Sequence, residues 1–200
     1  MWTLRSAAAS PFVRKVRIAA AVCGLSDRID VQTVDTNDAA SPLRRENPLG
    51  KIPALVLDDG TALYDSRVIA EFLDAEAGGG ILIPKGAEHF PVLTLQALAD
   101  GICDAAVLRV YEERWRAPEM RSARWLEHQS GKIERALATL EAAPPALSGR
   151  PNIGQIAVAC ALGYLDLRAA GEWRQRYPKL VAWLDDFSSK VPSFEATRPS

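Results

Sequence analysis

The spacing of apolar residues changes several times in the first eighty positions. Trp2 to Arg5 reads as a short strand. Phe12, Val13, Val16, Ala19, Ala20 and Cys23 recur at helical spacing up to Gly24, and Ile29, Val31 and Thr33 then alternate as in a strand. After a loop rich in Asn, Asp, Ser and Pro, Ala54 to Leu57 and Ala62 to Tyr64 flank Asp59-Gly60, a strong hairpin signal. A helix follows over about 65–75, with Val68, Ile69, Phe72 and Leu73 on one face. The predicted order is β-α-β, loop, β-β-α, an α/β layer arrangement. Gly78, Gly79 and Gly80 interrupt it, and Ile81-Leu82-Ile83-Pro84 follows as an apolar clip. Beyond the clip no stretch alternates, whereas helical periodicity covers roughly 88–116, 119–142, 152–169 and 178–189. The expected domains are therefore 1–80, of α/β type, and 85–200, all helical, with no internal repeat.

Composition narrows the function more than the fold. With 200 residues, 48% of them hydrophobic, the chain can bury a substantial core. Net charge is -1, and lysines and arginines are dispersed, so no nucleic-acid or anionic-membrane partner is expected. The longest apolar runs fall short of the ~20 residues of a membrane span, and the N-terminus does not read as a signal peptide, so a cytoplasmic location is expected. Three cysteines without a CxxC pair, and only His89 and His128, argue against structural disulfides and a metal site. Each cysteine is expected to be a small buried residue on a helix.

Three short stretches carry candidate chemistry. Ser10-Pro11 is a favoured N-cap followed by a favoured first helical residue. The same helix start also suits a bound thiolate. A free thiol titrates near 8.5, and each unit of lowering takes about 1.4 kcal/mol of thiolate stabilisation, which a hydroxyl and a helix N-terminus can supply. In Asn47-Pro48-Leu49-Gly50-Lys51-Ile52-Pro53-Ala54, Pro53 cannot donate a hydrogen bond, so a strand starting there leaves the Ile52 backbone free for an extended peptide-like ligand. An ordinary loop entering an edge strand is the alternative. Asp65-Ser66 stands where a strand gives way to a helix; either residue is a good N-cap, and together they suit the carboxylate and ammonium of an amino-acid end. A short thiol peptide would meet all three needs.

These stretches, as SPFVRKVRIA (10–19), NPLGKIPALVLDDGTALYDSRVIAEFL (47–73), the 81–84 clip and IAVACALGYLDLR (156–168), resemble the glutathione transferase superfamily over essentially the whole chain, including PSFEATRP (192–199) at its end. The resemblance implies a thioredoxin-like N-terminal domain and a helical C-terminal bundle. It implies that Ser10 holds and polarises the glutathione sulfur, with Ser6 set aside as that hydroxyl. Ile52, before a cis-Pro53, would pair with the cysteinyl unit; Lys51 would lie along the glycyl side; Asp65 and Ser66 would bind the γ-glutamyl end. Phe12 would line the boundary with the second substrate, a small apolar electrophile whose site would draw on Arg109, Tyr111, Arg114 and Trp115. Asp100 and Asp104, four apart on one helix face, would assist the site or make polar contacts across the domains.

One departure concerns the helix near 152. Many relatives start it with Ser or Thr and an Asp three residues on, whereas Asn152-Ile153-Gly154-Gln155 stands here and still reads as an N-cap with a side chain able to reach back. The activity implied is conjugation of glutathione, the co-substrate, with no metal and with homodimer formation. A redox reaction through a mixed disulfide needs a cysteine where Ser10 stands, and Cys23 is over three helical turns away. A glutathione-binding or ligand-carrying module with little turnover is the further alternative.

Overall fold

The computed structural model describes residues 1–199. A four-stranded sheet in the order β2-β1-β3-β4 is built from β1 (Trp2–Ser6), β2 (Ile29–Thr33), β3 (Ala54–Val56) and β4 (Ala62–Leu63). β1 and β2 are parallel (Leu4 opposite Val31), whereas β1 pairs antiparallel with β3 (Arg5 opposite Ala54) and β3 with β4 (Leu55 opposite Leu63). The parallel pair requires a crossover, and α1 (Pro11–Val22) provides it. Val13, Val16, Ile18, Ala19 and Ala20 of α1 join Leu4, Leu55 and α3 (Ser66–Glu76) residues Ile69, Ala70 and Leu73 in the core. A single short turn of helix, α2 (Leu43–Glu46), interrupts the loop that follows β2.

The glycine run and the clip are explained by one side chain. Asp74, 6% exposed near the end of α3, accepts the backbone N–H groups of Gly80 (2.8 Å), Ile81 (2.8 Å) and Leu82 (2.6 Å). Leu82 is thereby held fully buried, and its carbonyl accepts the N–H of Ile153 at 2.9 Å, tying the clip to the helical part.

That part consists of α4 (His89–Trp115), α5 (Ala123–Ala142), α6 (Ile153–Arg168), α7 (Pro178–Lys190) and α8 (Pro192–Ala196). α6 is apolar all round, as a central helix must be, with Ile153 to Leu162 all buried. It starts at a capping box: the Asn152 side chain accepts from Gln155 N and the Gln155 side chain from Asn152 N. The sequence reading extends α5 back to 119, but the structure places a 3-10 turn at Pro118–Met120 and starts the helix at Ala123, after the N-cap Ser122, whose hydroxyl accepts the Trp125 N–H. α8, which carries no periodic signal of its own, folds back over α1. By length and composition α4 passes for a membrane span, with a mean hydropathy of 1.4 over its best window. The buried carboxylate of Asp100 in its middle and its packing against α5 and α6 instead make it a core helix.

Candidate active site

The sheet topology brings the three stretches to one end. β3 and β4 are antiparallel and β1 opposes β3, so the C-terminal ends of β1 and β4 lie beside the N-terminal end of β3. From those ends run the approach to Ser10, the Ile52-Pro53 entry and the Asp65-Ser66 junction.

Ser10 caps α1 with extended backbone (φ -79, ψ 119), and its hydroxyl oxygen accepts the Val13 N–H at 3.3 Å. Because that oxygen is the acceptor, the hydroxyl proton is free to be donated outward, beside the positive end of the helix. The Ile52–Pro53 peptide is cis, and so is Tyr64–Asp65. Ile52 stands outside the β-ladder, which begins at Ala54. The buried Asn47 holds the loop, donating to the Lys51 carbonyl at 2.8 Å and accepting the Leu49 N–H at 3.1 Å. Lys51 itself is exposed. Asp65 caps α3 through the Arg67 N–H at 2.8 Å, and Ser66, 2% exposed, is the first helical residue.

A buried ionic cluster links these parts. Lys15 Nζ donates to both oxygens of Asp100, at 2.7 and 2.8 Å, and Arg67 Nε reaches Asp100 at 3.0 Å. Asp100 thus joins α1, α3 and α4 and makes a polar contact across the two parts. The bond to Asp100 raises the Arg67 pKa. Asp104, one turn on, has its carboxyl pushed up by burial and then by Asp100, and pulled back by Arg67 and Lys51.

The helical wall near Ser10 is α6: Ser10, Pro11, Arg14, Cys160, Gly163, Tyr164 and Pro199 line a narrow cleft of about 10 Å³. A separate polar cavity of about 540 Å³, lined by Arg14, Asp166, Arg174, Glu195 and others, lies on the far side of Arg14 and does not include Ser10. Phe12 is half-buried, its ring 5.9 Å from Lys15 Nζ. On α4, Tyr111 (45% exposed) shares the face of Asp100 and Asp104, while Arg114 and Trp115 (64% exposed) flank it. Arg109, two residues before Tyr111, sits about 200° round the helix on the other side, with its Nε buried and unpartnered.

Burial raises all three cysteine thiols, Cys23 to about 11, Cys160 to about 12 and Cys103 upward as well. The raised values keep all three thiols protonated near neutral pH.

Sequence reading missed Arg14, Lys15, Arg67 and Tyr164. Arg14 and Lys15 did leave a signal: they stand four and three residues before the apolar Ile18 on α1, and both are buried (5% and 1% exposed).

Known families cover both parts of the chain. The family pattern described as Glutathione S-transferase, N-terminal domain matches residues 9–76, and that of the Glutathione S-transferase, C-terminal domain matches residues 123–186. The chain belongs to the glutathione transferase family, with a thioredoxin-like N-terminal part and a helical C-terminal part. It is 34% identical over 195 residues to the uncharacterized GST-like protein YibF of Escherichia coli strain K12, covering 95% of each chain. It is also similar to a glutathione transferase family member from Pseudomonas fluorescens Pf-5, 47% identical over 100% of both chains. That protein's crystal structures contain glutathione (TM-score 0.91) and S-(propanoic acid)-glutathione (TM-score 0.86). A glutathione S-transferase from Methylobacillus flagellatus KT, with glutathione bound, is 39% identical over 100% of both chains, with a TM-score of 0.88.

Proposed function

We propose that this protein is a glutathione transferase in which residues 1–80 hold glutathione and residues 85–200 supply the second-substrate site. The observation that carries this is Ser10, whose oxygen is engaged by the Val13 N–H at a helix start while its proton remains available to a thiolate. Asp65 and Ser66 take the γ-glutamyl end, the Ile52 backbone pairs with the cysteinyl unit before Pro53, and Lys51 lies along the glycyl carboxylate. Phe12 borders the second substrate. The glutathione thiol gives its proton to solvent. The thiolate then forms an S–C bond to an electrophilic carbon, whose leaving group departs with its electron pair or whose π bond opens. Catalysis is pKa lowering together with positioning of two reactants.

The Pseudomonas protein crystallised with S-(propanoic acid)-glutathione extends the expected electrophiles from purely apolar ones to acid-bearing ones. We propose further that two copies pair through the N-terminal part of one and the first helices of the helical part of the other. In support, Val68 on α3 and Phe90 in the first turn of α4 are 46% and 74% exposed. Light scattering on the purified protein should give twice the chain mass.

The central test is Ser10→Ala, assayed by ultraviolet titration of the bound thiol and by conjugation rate. The bound thiol pKa should rise by about one unit or more, and kcat/KM should fall roughly ten- to a hundredfold near neutral pH. An unchanged thiol pKa together with an unchanged rate would remove Ser10 from the mechanism.

A further inference from the structure

The cleft beside Ser10 has a polar wall that the reading above leaves unused. Tyr164 on α6 lines it and is 5% exposed. One turn further along the same face, Arg168 is exposed, with its guanidinium carbon 5.5 Å from the Tyr164 ring centroid. Arg168 is also the cation that most offsets the upward push of burial on the Tyr164 phenol, and Tyr111 of α4 acts on the same phenol. The Arg168 guanidinium and the Tyr164 phenol therefore stand together on α6, beside the cleft that Ser10 and Tyr164 line. The acid nearest in sequence on α6, Asp166, is already taken. It accepts Arg174 Nε at 2.9 Å, Arg174 Nη2 at 2.6 Å and Trp173 Nε1 at 2.8 Å. Among the described residues Arg168 is thus left without a carboxylate partner.

We propose that Arg168 is a specificity-determining residue that receives a carboxylate on the second substrate, with Tyr164 beneath it as a positioning residue. The substrate class is an alkene conjugated to a carboxylate. This rests on the glutathione-binding reading above. A planar guanidinium pairs with a carboxylate through two parallel N–H donors, which fixes the orientation of the acid as well as attracting it. The chemistry gains as well, because a free carboxylate makes the adjoining alkene a poor electrophile and pairing with a cation draws that charge away. The sulfur bonds to the β-carbon while the C=C π pair moves to the α-carbon, which takes up one proton in place of the one the thiol released. The product is a thioether that keeps its carboxylate, and no oxidant or reductant is needed.

The test reads binding, so it does not depend on turnover. Calorimetry compares S-(2-carboxyethyl)glutathione with S-propylglutathione on the wild type, Arg168→Ala and Arg168→Lys. The wild type should bind the acid-bearing thioether about tenfold or more tightly. Arg168→Ala should bring that ratio close to one, and Arg168→Lys should restore part of it, as a point charge without the bidentate fork does. Taking a ratio within each preparation cancels general damage to the protein. If glutathione and both thioethers bind the wild type with equal affinity, or if Arg168→Ala leaves the ratio unmoved, the assignment is overturned while the glutathione reading stands. If neither glutathione nor either thioether binds, the glutathione reading fails first.

Discussion

Lys15 has 1% of its side chain exposed and Asp100 3%, so their pairing is a buried ion pair in the full sense. Removing one partner from such a pair costs about 3–5 kcal/mol, because the other charge stays buried without a counter-ion. Replacing both with apolar groups of similar size is often neutral. Asp100→Leu alone, which strands Lys15 while the half-exposed Arg67 can turn to water, is therefore expected to lower the urea unfolding free energy by about 3 kcal/mol, and Asp100→Leu with Lys15→Met to recover much of that loss. A single substitution costing under ~1 kcal/mol would mean that water already reaches the pair. The cysteines make a second residue-level case. With the Cys23 thiol pushed to about 11 by burial, alkylation of the native protein at pH 8 should be slow at all three cysteines and become fast on unfolding. Rapid native labelling of Cys23 would contradict the environment described for it.

Among the elements, α6 packs so tightly on α4 that one glycine decides the fit. A Cβ at Gly154 would meet the Val92 carbonyl oxygen at 2.8 Å and two carbons of Leu95 at 3.0 Å, and backbone cannot step aside as a flexible side chain would. Gly154→Ala should cost about 1–3 kcal/mol, and for a chain of this size each kcal/mol lowers the melting temperature by roughly 2–4 °C. A scanning calorimetry trace unchanged from wild type would show that the helices separate without cost. Elements of this kind were legible in the sequence because their signals are local. The period of α1 and α3, the Asp59-Gly60 hairpin and the Asn152/Gln155 cap each depend on residues only a few positions apart. What could not be read depends on distant partners. The start of α5 is set by Ser122, whose N–H is bound at 2.9 Å by Glu112 across a turn. The clip is fixed by Asp74, an acid that looks like an ordinary surface residue of α3 until its three N–H partners are known. At the site, the Ser10, Ile52-Pro53 and Asp65-Ser66 stretches were legible as local motifs. The cluster of Lys15, Asp100 and Arg67 unites three elements that the chain keeps far apart. Arg109 and Tyr111 look equivalent in sequence, yet the helical rotation between them sends one to the opposite side.

For the molecule as a whole, the C-terminal segment is a structural part of the site rather than an appendage. Arg14, one turn past Ser10 on α1, is 5% exposed and donates through Nη2 to the Phe194 carbonyl at 2.6 Å and through Nε to Thr197 Oγ1 at 3.4 Å. Its guanidinium lies 3.9 Å over the Phe194 ring, and Phe194 in turn packs edge-on against Phe187 of α7. Burial lowers the Arg14 pKa, but a guanidinium remains a cation near neutral pH, so α8 is what keeps a buried charge satisfied. Pro199 also lines the Ser10 cleft. A chain ending at Val191 would leave Arg14 without its carbonyl, its hydroxyl and its aromatic face, and would open the cleft on that side. The expected loss is about 2–4 kcal/mol, seen as a melting temperature lower by several degrees, together with glutathione binding weakened several-fold in calorimetry. Arg14→Met in the full chain separates the two effects. It removes the buried charge but leaves α8 in place, so it should weaken glutathione binding less than the truncation does. Equal binding losses in the two variants would trace the effect to Arg14 alone, and a truncated chain with wild-type melting and wild-type affinity would show that α8 does not support the site.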